Sequence, residues 1–229
     1  MSIFYQDDDV TLYNDDCNNI ISSLDYDVIM MDPPYSQEFH DRGNLTRSRP
    51  NYKKISEYGS EQNLNYTDIF NLLKSKIKEN NIFSFCNKET KYELITEAKK
   101  HGWNYQELSF CKTSPTPFTN NQWLVDMEFG VHLFKNLKVR GNYKTKSSFF
   151  VMSNFKEKNV NHPTPKKVGI VYRILENISE ENQTILDPFA GSGTTGIACK
   201  QLHRKCILIE KNIEYCEIIK QRLRQDYLF

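Results

Sequence analysis

The sequence predicts an α/β fold: a seven-stranded, mostly parallel sheet with an antiparallel edge, covered by helices. Two observations predict it. Short apolar runs bounded by turn residues alternate with segments of helical periodicity along nearly the whole chain. Two of those runs end in an acid followed by proline, at Asp32-Pro33 and Asp187-Pro188, and proline bars continuation into ladder or helix. The chain therefore leaves the sheet there, at the carboxyl edge where open α/β sheets bind their ligands.

Residues 10–13 form a first strand, and Ile20, Ile21 and Leu24 at helical spacing mark a short helix over 18–24. The run Val28-Ile29-Met30-Met31 is apolar at every position, as a strand buried on both faces of a parallel sheet requires. Ile69, Phe70, Leu73 and Ile77 give one apolar face to a helix over 67–79, with Thr67 as its cap. A strand at 82–86, a helix at 89–100 ending near Gly102, and strands at 105–111 and 129–134 follow, the last strands supplying the antiparallel edge. His162-Pro163-Thr164-Pro165-Lys166 opens a further helix, with Thr164 as cap and Val168, Val171, Ile174 and Leu175 as its buried face. A strand at 184–186, a helix to His203, a strand at 206–209 and a helix at 213–223 close the chain.

A length of 229 residues suits a single α/β domain, and 38 % hydrophobic residues suffice for one core. The formal charge of +1 creates no global field, so attraction to a polyanion must come from local patches. The six cysteines form no C-x-x-C pair, which points to the reduced thiols of a cytoplasmic protein. The N-terminus is acidic where a signal peptide is basic and then apolar, and no apolar run reaches membrane-spanning length. Two basic segments stand out. Residues 36–65 carry Arg42, Arg47, Arg49, Lys53 and Lys54 with Tyr52 and Tyr58; residues 135–161 carry Lys138, Arg140, Lys144 and Lys146 with Tyr143, Phe149 and Phe150. Charge for phosphates and rings for bases make both candidate nucleic-acid contacts. A solvated loop and a small lysine-fringed apolar cluster are the structural alternatives.

At the exit of the 28–31 strand stand Asp32, Pro33, Pro34 and Tyr35. A carboxylate and a peptide carbonyl can take both N–H bonds of a planar exocyclic amine, making the nitrogen more pyramidal and localising its lone pair, while Tyr35 stacks on the ring. A Pro-Pro turn whose aspartate caps backbone donors is the alternative. Downstream, Gly191-Ser192-Gly193-Thr194-Thr195-Gly196 lies between strand and helix, with Glu210 ending the next strand. In that layout glycines admit a ligand to the backbone and the acid accepts from ribose hydroxyls. Asp187 adds an acid able to meet an ammonium group. Asp16, at the end of the first strand, lies beside Asp32 if those two strands pair; capping the helix behind it is an equally good local role.

Asp-Pro-Pro-Tyr at 32–35 and Asp-Pro-Phe-Ala-Gly-Ser-Gly-Thr-Thr at 187–195 stand in that order, with Asn14-Asp15-Asp16-Cys17, Lys112 before Pro115 and Pro117, and His162 to Lys166 as supporting matches. Together they resemble the β-class of S-adenosylmethionine-dependent DNA amino-methyltransferases over nearly the whole chain. The resemblance implies a Rossmann-like methyltransferase fold with circularly permuted motifs: catalytic motif, recognition insert at 135–161, then cofactor motif. It implies that Asp32, Pro33, Pro34 and Tyr35 hold a flipped base. Phe189, Gly191, Ser192, Gly193, Thr194 and Thr195 would line the cofactor, with Asp187 near its methionine end and Thr164 at its carboxylate. Glu210 would take the ribose, and Asp16 with Cys17 the adenine. Adenine N6 is the implied target, since the family's cytosine enzymes more often have Ser where Asp32 stands. Implied partners are double-stranded DNA, a cognate restriction endonuclease and, because the insert is short, a second copy of the chain. Lys167 departs from the family, which commonly has proline there.

Overall fold

The computed structural model describes residues 2–34, 65–113, 123–124, 126–136, 139–152 and 166–225. Among these, nine strands form one sheet: β1 (Ile3–Gln6), β2 (Val10–Asn14), β3 (Val28–Met31), β4 (Asn81–Cys86), β5 (Asn104–Lys112), β6 (Met127–Phe134), β7 (Phe149–Met152), β8 (Thr184–Asp187) and β9 (Lys205–Glu210). Their order across the sheet is β1-β2-β9-β8-β3-β4-β6-β5-β7, and all but β1 and β6 run the same way.

β3 is central because it is apolar on both sides. Val28 and Met30 face one helical layer, Ile29 and Met31 the other, and none of the four is more than 1 % exposed. On the first face the helices Val168–Ile178, Thr194–Gln201 and Ile213–Leu223 contribute Leu175, Ile197 and Ile219 to one cluster with Phe83 and Phe85. On the second, Tyr66–Lys76 and Lys88–Lys100 contribute Phe70, Leu73 and Leu94 to a cluster with Ile82 and Leu133. Each such fully buried side chain contributes about 1.5–3 kcal/mol of apolar transfer. The close approach of β6 to this core needs Gly130, since a Cβ there would lie 2.5 Å from the Cζ of Phe83.

The sheet departs from the seven strands read from the sequence. β1 is additional, a half-exposed edge paired only with β2 among the described strands. β7 is also additional. It falls inside the basic 135–161 segment, where flanking lysines hide an apolar quartet that pairs with β5. The antiparallel strand within the larger half of the sheet is interior, since β6 lies between β4 and β5. β2 and β3 are not neighbours, because β9 and β8 lie between them; Asp16 therefore stands by the end of β9, not beside Asp32. Pairing between distant segments leaves no mark on local periodicity.

Several helix starts carry side-chain caps, while those at Lys167 and Gly193 have none. At Tyr66–Lys76 the cap is Asn65, not Thr67: its side-chain oxygen accepts from the backbone N–H of Thr67 at 3.0 Å and of Asp68 at 3.3 Å. Thr164, the expected cap of the next helix, lies outside the described residues. That helix is described from Val168, with Lys167 at its N-cap; the φ of −74° at Lys167 is one a proline would also hold, so the departure from the family leaves the backbone path intact. Among the described residues no helix is long and apolar enough to cross a membrane.

Candidate active site

β3 and β8 are adjacent and parallel, with Ile29 paired to Leu186, so Asp32 and the turn after Asp187 emerge side by side at the carboxyl edge. Asp32 is half-buried and Pro33 buried. The Pro-Pro step is anchored from the next layer: Tyr66 Oη donates to the Pro34 carbonyl at 2.8 Å. Tyr66 is 5 % exposed, and burial pushes its phenol up to about 12, so it remains a donor. The sequence reading missed Tyr66. Its only local signal is a place one residue after the capping Asn65, and that sets its direction only once the helix is docked.

Asp32 also belongs to a chain of alternating charges that the sequence reading did not assemble. Lys166 Nζ lies 3.2 Å from Asp32 Oδ2 and 3.6 Å from Glu128 Oε2, and Lys112 Nζ lies 2.5 Å from Glu128 Oε1. The Lys166 ammonium also sits 4.6 Å from the centre of the Phe85 ring. Burial pulls the Lys166 ammonium down, yet the charges of Asp32 and Glu128 hold it above the ordinary lysine range. Burial likewise works to raise the Glu128 carboxyl, but Lys166 and Lys112 bring it below its usual value.

The glycine-rich turn is held by its own surroundings. Ala190 N–H donates to the Ile209 carbonyl at 3.0 Å, and Gly191 N–H to Glu210 Oε2 at 2.8 Å. Gly191 and Gly193 have φ of 52° and 77°, the left-handed region that favours glycine. Ser192, Thr194 and Thr195 are buried, and Phe189 is half-buried. Glu210 is 2 % exposed, its other oxygen accepting from Asn212 N–H at 2.8 Å. Asp16 takes the capping role: its side chain accepts from Asn18 N–H at 3.0 Å, with Lys211 Nζ 3.4 Å away. Cys17 is buried behind it, and burial pushes its thiol up to about 12.

Asp187 is turned inward. Oδ1 accepts from Phe189 N–H at 3.0 Å and Oδ2 from Thr195 Oγ1 at 2.5 Å, so the carboxyl staples the turn to the following helix. Burial pushes it up to about 7, against the lowering effect of those two bonds. A carboxyl raised in the folded state above its ordinary 3.8 stabilises the fold at low pH, and that contribution is lost as pH rises through about 7. Asp187→Asn is therefore expected to flatten the fall in unfolding free energy between about pH 4 and 7 by roughly 2–4 kcal/mol, measured by urea unfolding across that range.

The basic residues separate by edge. Lys144 and Lys146 precede β7, and Arg140 pairs with Glu180 ahead of β8; both strands run parallel to β3, so all three residues stand at the amino edge, opposite Asp32. Arg173 holds that segment by donating to the carbonyls of Lys144, Thr145 and Ser147. Tyr35, Arg42, Arg47, Arg49, Lys53, Lys54, Lys138 and Thr164 lie outside the described residues. The chain leaves β7 at Met152 and is described again from Lys166, both at the carboxyl edge.

An Asp-Pro-Pro exit beside a glycine-rich turn, on neighbouring strands of one mostly parallel sheet, defines the class of amino-methyltransferases. A family described as DNA methylase, of the N6/N4 methyltransferase type, matches residues 26–221, and the chain belongs to that family. The type II methyltransferase M2.MboI of Moraxella bovis is 25 % identical to it over 252 residues, 97 % of this chain and 91 % of that protein. The solved M1.HpyAVI–SAM complex has a TM-score of 0.75 at 22 % identity, covering 94 % of this chain and 100 % of that one. The cytosine-N4-specific PvuII DNA methyltransferase has a TM-score of 0.70 at 14 % identity, covering 96 % and 88 %. The expected methyltransferase fold is borne out.

Proposed function

We propose that the chain transfers a methyl group from S-adenosylmethionine to the exocyclic amine of a base flipped out of double-stranded DNA, with adenine N6 as the target. The observation that carries this reading is the placement of Asp32 on the strand next to the glycine-rich turn, at one edge of the sheet. The residues there fit the cofactor. Two left-handed glycines let the turn fold tightly beside the strand ends, Glu210 ends β9, and Asp16 follows the end of its partner β2. Phe189, Gly191, Gly193 and Thr194 would line the cofactor, Glu210 would meet its ribose and Asp16 its adenine.

When bound, S-adenosylmethionine supplies an electrophilic methyl group on a positively charged sulfur. Asp32 accepts one N–H of the target amine and the Pro33 carbonyl the other, while Tyr35 stacks on the base. These fixed acceptors localise the nitrogen lone pair and stabilise the positive charge that develops as it attacks. With its lone pair so directed, the amine would take up the methyl group, leaving the bonding pair on sulfur, and would give one proton to water. Flipping is needed because the amine is otherwise paired and stacked.

Asp at position 32 supports adenine. Cytosine N4 is the second reading, favoured by the likeness to the PvuII enzyme. The type II designation of M2.MboI supports a place in restriction–modification, with a cognate endonuclease as partner. DNA reaching Asp32 meets the carboxyl edge, so Arg140, Lys144 and Lys146 are not its first contacts. Incubation with labelled S-adenosylmethionine and mixed-sequence DNA, followed by nucleoside analysis, is expected to yield N6-methyladenine. N4-methylcytosine would establish the second reading, and absence of both products would sink the proposal.

A further inference from the structure

One residue joins the two halves of the site. The backbone carbonyl of Lys166 accepts from Thr194 Oγ1 at 3.2 Å, while its ammonium lies 3.2 Å from Asp32 Oδ2. Lys166 therefore spans the glycine-rich helix start and the catalytic turn, which are 162 residues apart between Asp32 and Thr194 (194 − 32).

We propose that Lys166 is a positioning residue for methyl transfer: its ammonium holds Asp32 by Oδ2 and presents Oδ1 to the target amine, while Glu128 shares that ammonium and sets how strongly it acts on Asp32. This deepens the methyltransferase reading and rests on it.

The geometry and charge balance carry the argument. An ionised carboxylate has about four acceptor sites on two oxygens, so a cation on one oxygen orients the group and leaves the other able to take an N–H bond. An ammonium has three donors, enough to bridge Asp32 and Glu128 while resting on the Phe85 ring. A lone cation at this place would oppose the positive sulfur that must come within bonding distance of the amine. Glu128 offsets it, and Lys112 fixes Glu128 in turn, so the chain Asp32–Lys166–Glu128–Lys112 sums to zero charge. The other titratable groups among the described residues that act on this carboxylate's surroundings are Asp187 at the end of β8, Tyr66 at its helix start and Cys86 on β4. All three remain in place in the variants below.

The test compares the wild type with Lys166→Met, Lys166→Arg and Glu128→Gln, measuring kcat and KM for S-adenosylmethionine and for DNA. Lys166→Met is expected to lower kcat about 10- to 100-fold with both KM values within about threefold of wild type, the scale of one lost charge-assisted contact. Lys166→Arg should recover most of kcat. Glu128→Gln should lower kcat by a smaller factor with both KM values near wild type, because the Lys166 charge beside the site is then offset by one carboxylate fewer. Unchanged kcat in Lys166→Met would overturn the inference. So would a loss carried by KM for S-adenosylmethionine and not rescued by arginine, which would make Lys166 part of cofactor binding. If Lys166→Met does not fold, Glu128→Gln decides the matter, and an unchanged kcat there overturns it. A wild type inactive on DNA would instead count against the methyltransferase reading itself.

Discussion

Asp32→Ala is expected to lower methyl transfer to DNA by about 10³-fold or more while S-adenosylmethionine affinity changes only a few-fold, since fixed acceptors of this kind act on developing charge. Two effects add. The target amine loses the acceptor that localises its lone pair, and the half-buried Lys166 ammonium keeps, among the carboxylates of the described residues, Glu128 at 3.6 Å. That cation would then face the reacting nitrogen uncompensated on one side, which opposes positive charge in the transition state. Asp32→Asn keeps an oxygen acceptor but not the charge, so its rate should fall between alanine and wild type. Single-turnover transfer of labelled methyl, with cofactor affinity by calorimetry, checks both variants. An alanine variant within tenfold of wild type would remove Asp32 from the chemistry.

Gly193→Ala is expected to be the most damaging single-methyl change in the turn. Gly193 has φ of 77°, and a Cβ there would lie 2.9 Å from Ile219 Cγ2 and 3.1 Å from its Cγ1. Ile219 is fully buried, so it has little room to yield. The left-handed backbone costs about 1–2 kcal/mol for a non-glycine residue and the overlap about 1–3 kcal/mol more. Against a total stability of about 5–15 kcal/mol this is a large fraction, with a fall in Tm of roughly 5–15 °C. Gly102 provides the control: its φ is 72°, but nothing lies within 4 Å of a Cβ built there, so Gly102→Ala should show the backbone cost alone. Thermal unfolding of the two variants side by side separates strain from overlap. Equal shifts would show that Ile219 yields without cost.

Much of the site was legible because its parts are local. Asp32 follows an apolar strand and precedes two prolines; the glycines follow Asp187 and precede a helix. Breakers and periodicity mark such positions within a few residues. What escaped notice depends on contacts across the chain. Tyr66 reaches Pro34 from a different layer, and Glu128 meets Lys166 because β6 inserts between β4 and β5. Arg140, Lys144 and Lys146 show the same gap from the other side: their charge is plain in the sequence, but the direction of β7 assigns them to the edge away from Asp32. Asp187 offers a subtler case. The sequence places an acid before the glycines, where it is able to face a ligand, whereas its oxygens meet Phe189 and Thr195 in the turn itself.

The amino-acid order by itself determined that this is an α/β chain with two strand exits carrying an amine-trapping turn and a glycine-rich turn, because steric limits on proline and glycine and the period of apolar residues act over short range. Only the tertiary structure decided that those exits are neighbours, that Lys166 links them, and that Arg140, Lys144 and Lys146 stand at the opposite edge. Strand order and direction are settled by burial of whole faces against helices. That free energy is summed over residues far apart in sequence, so no single stretch encodes it.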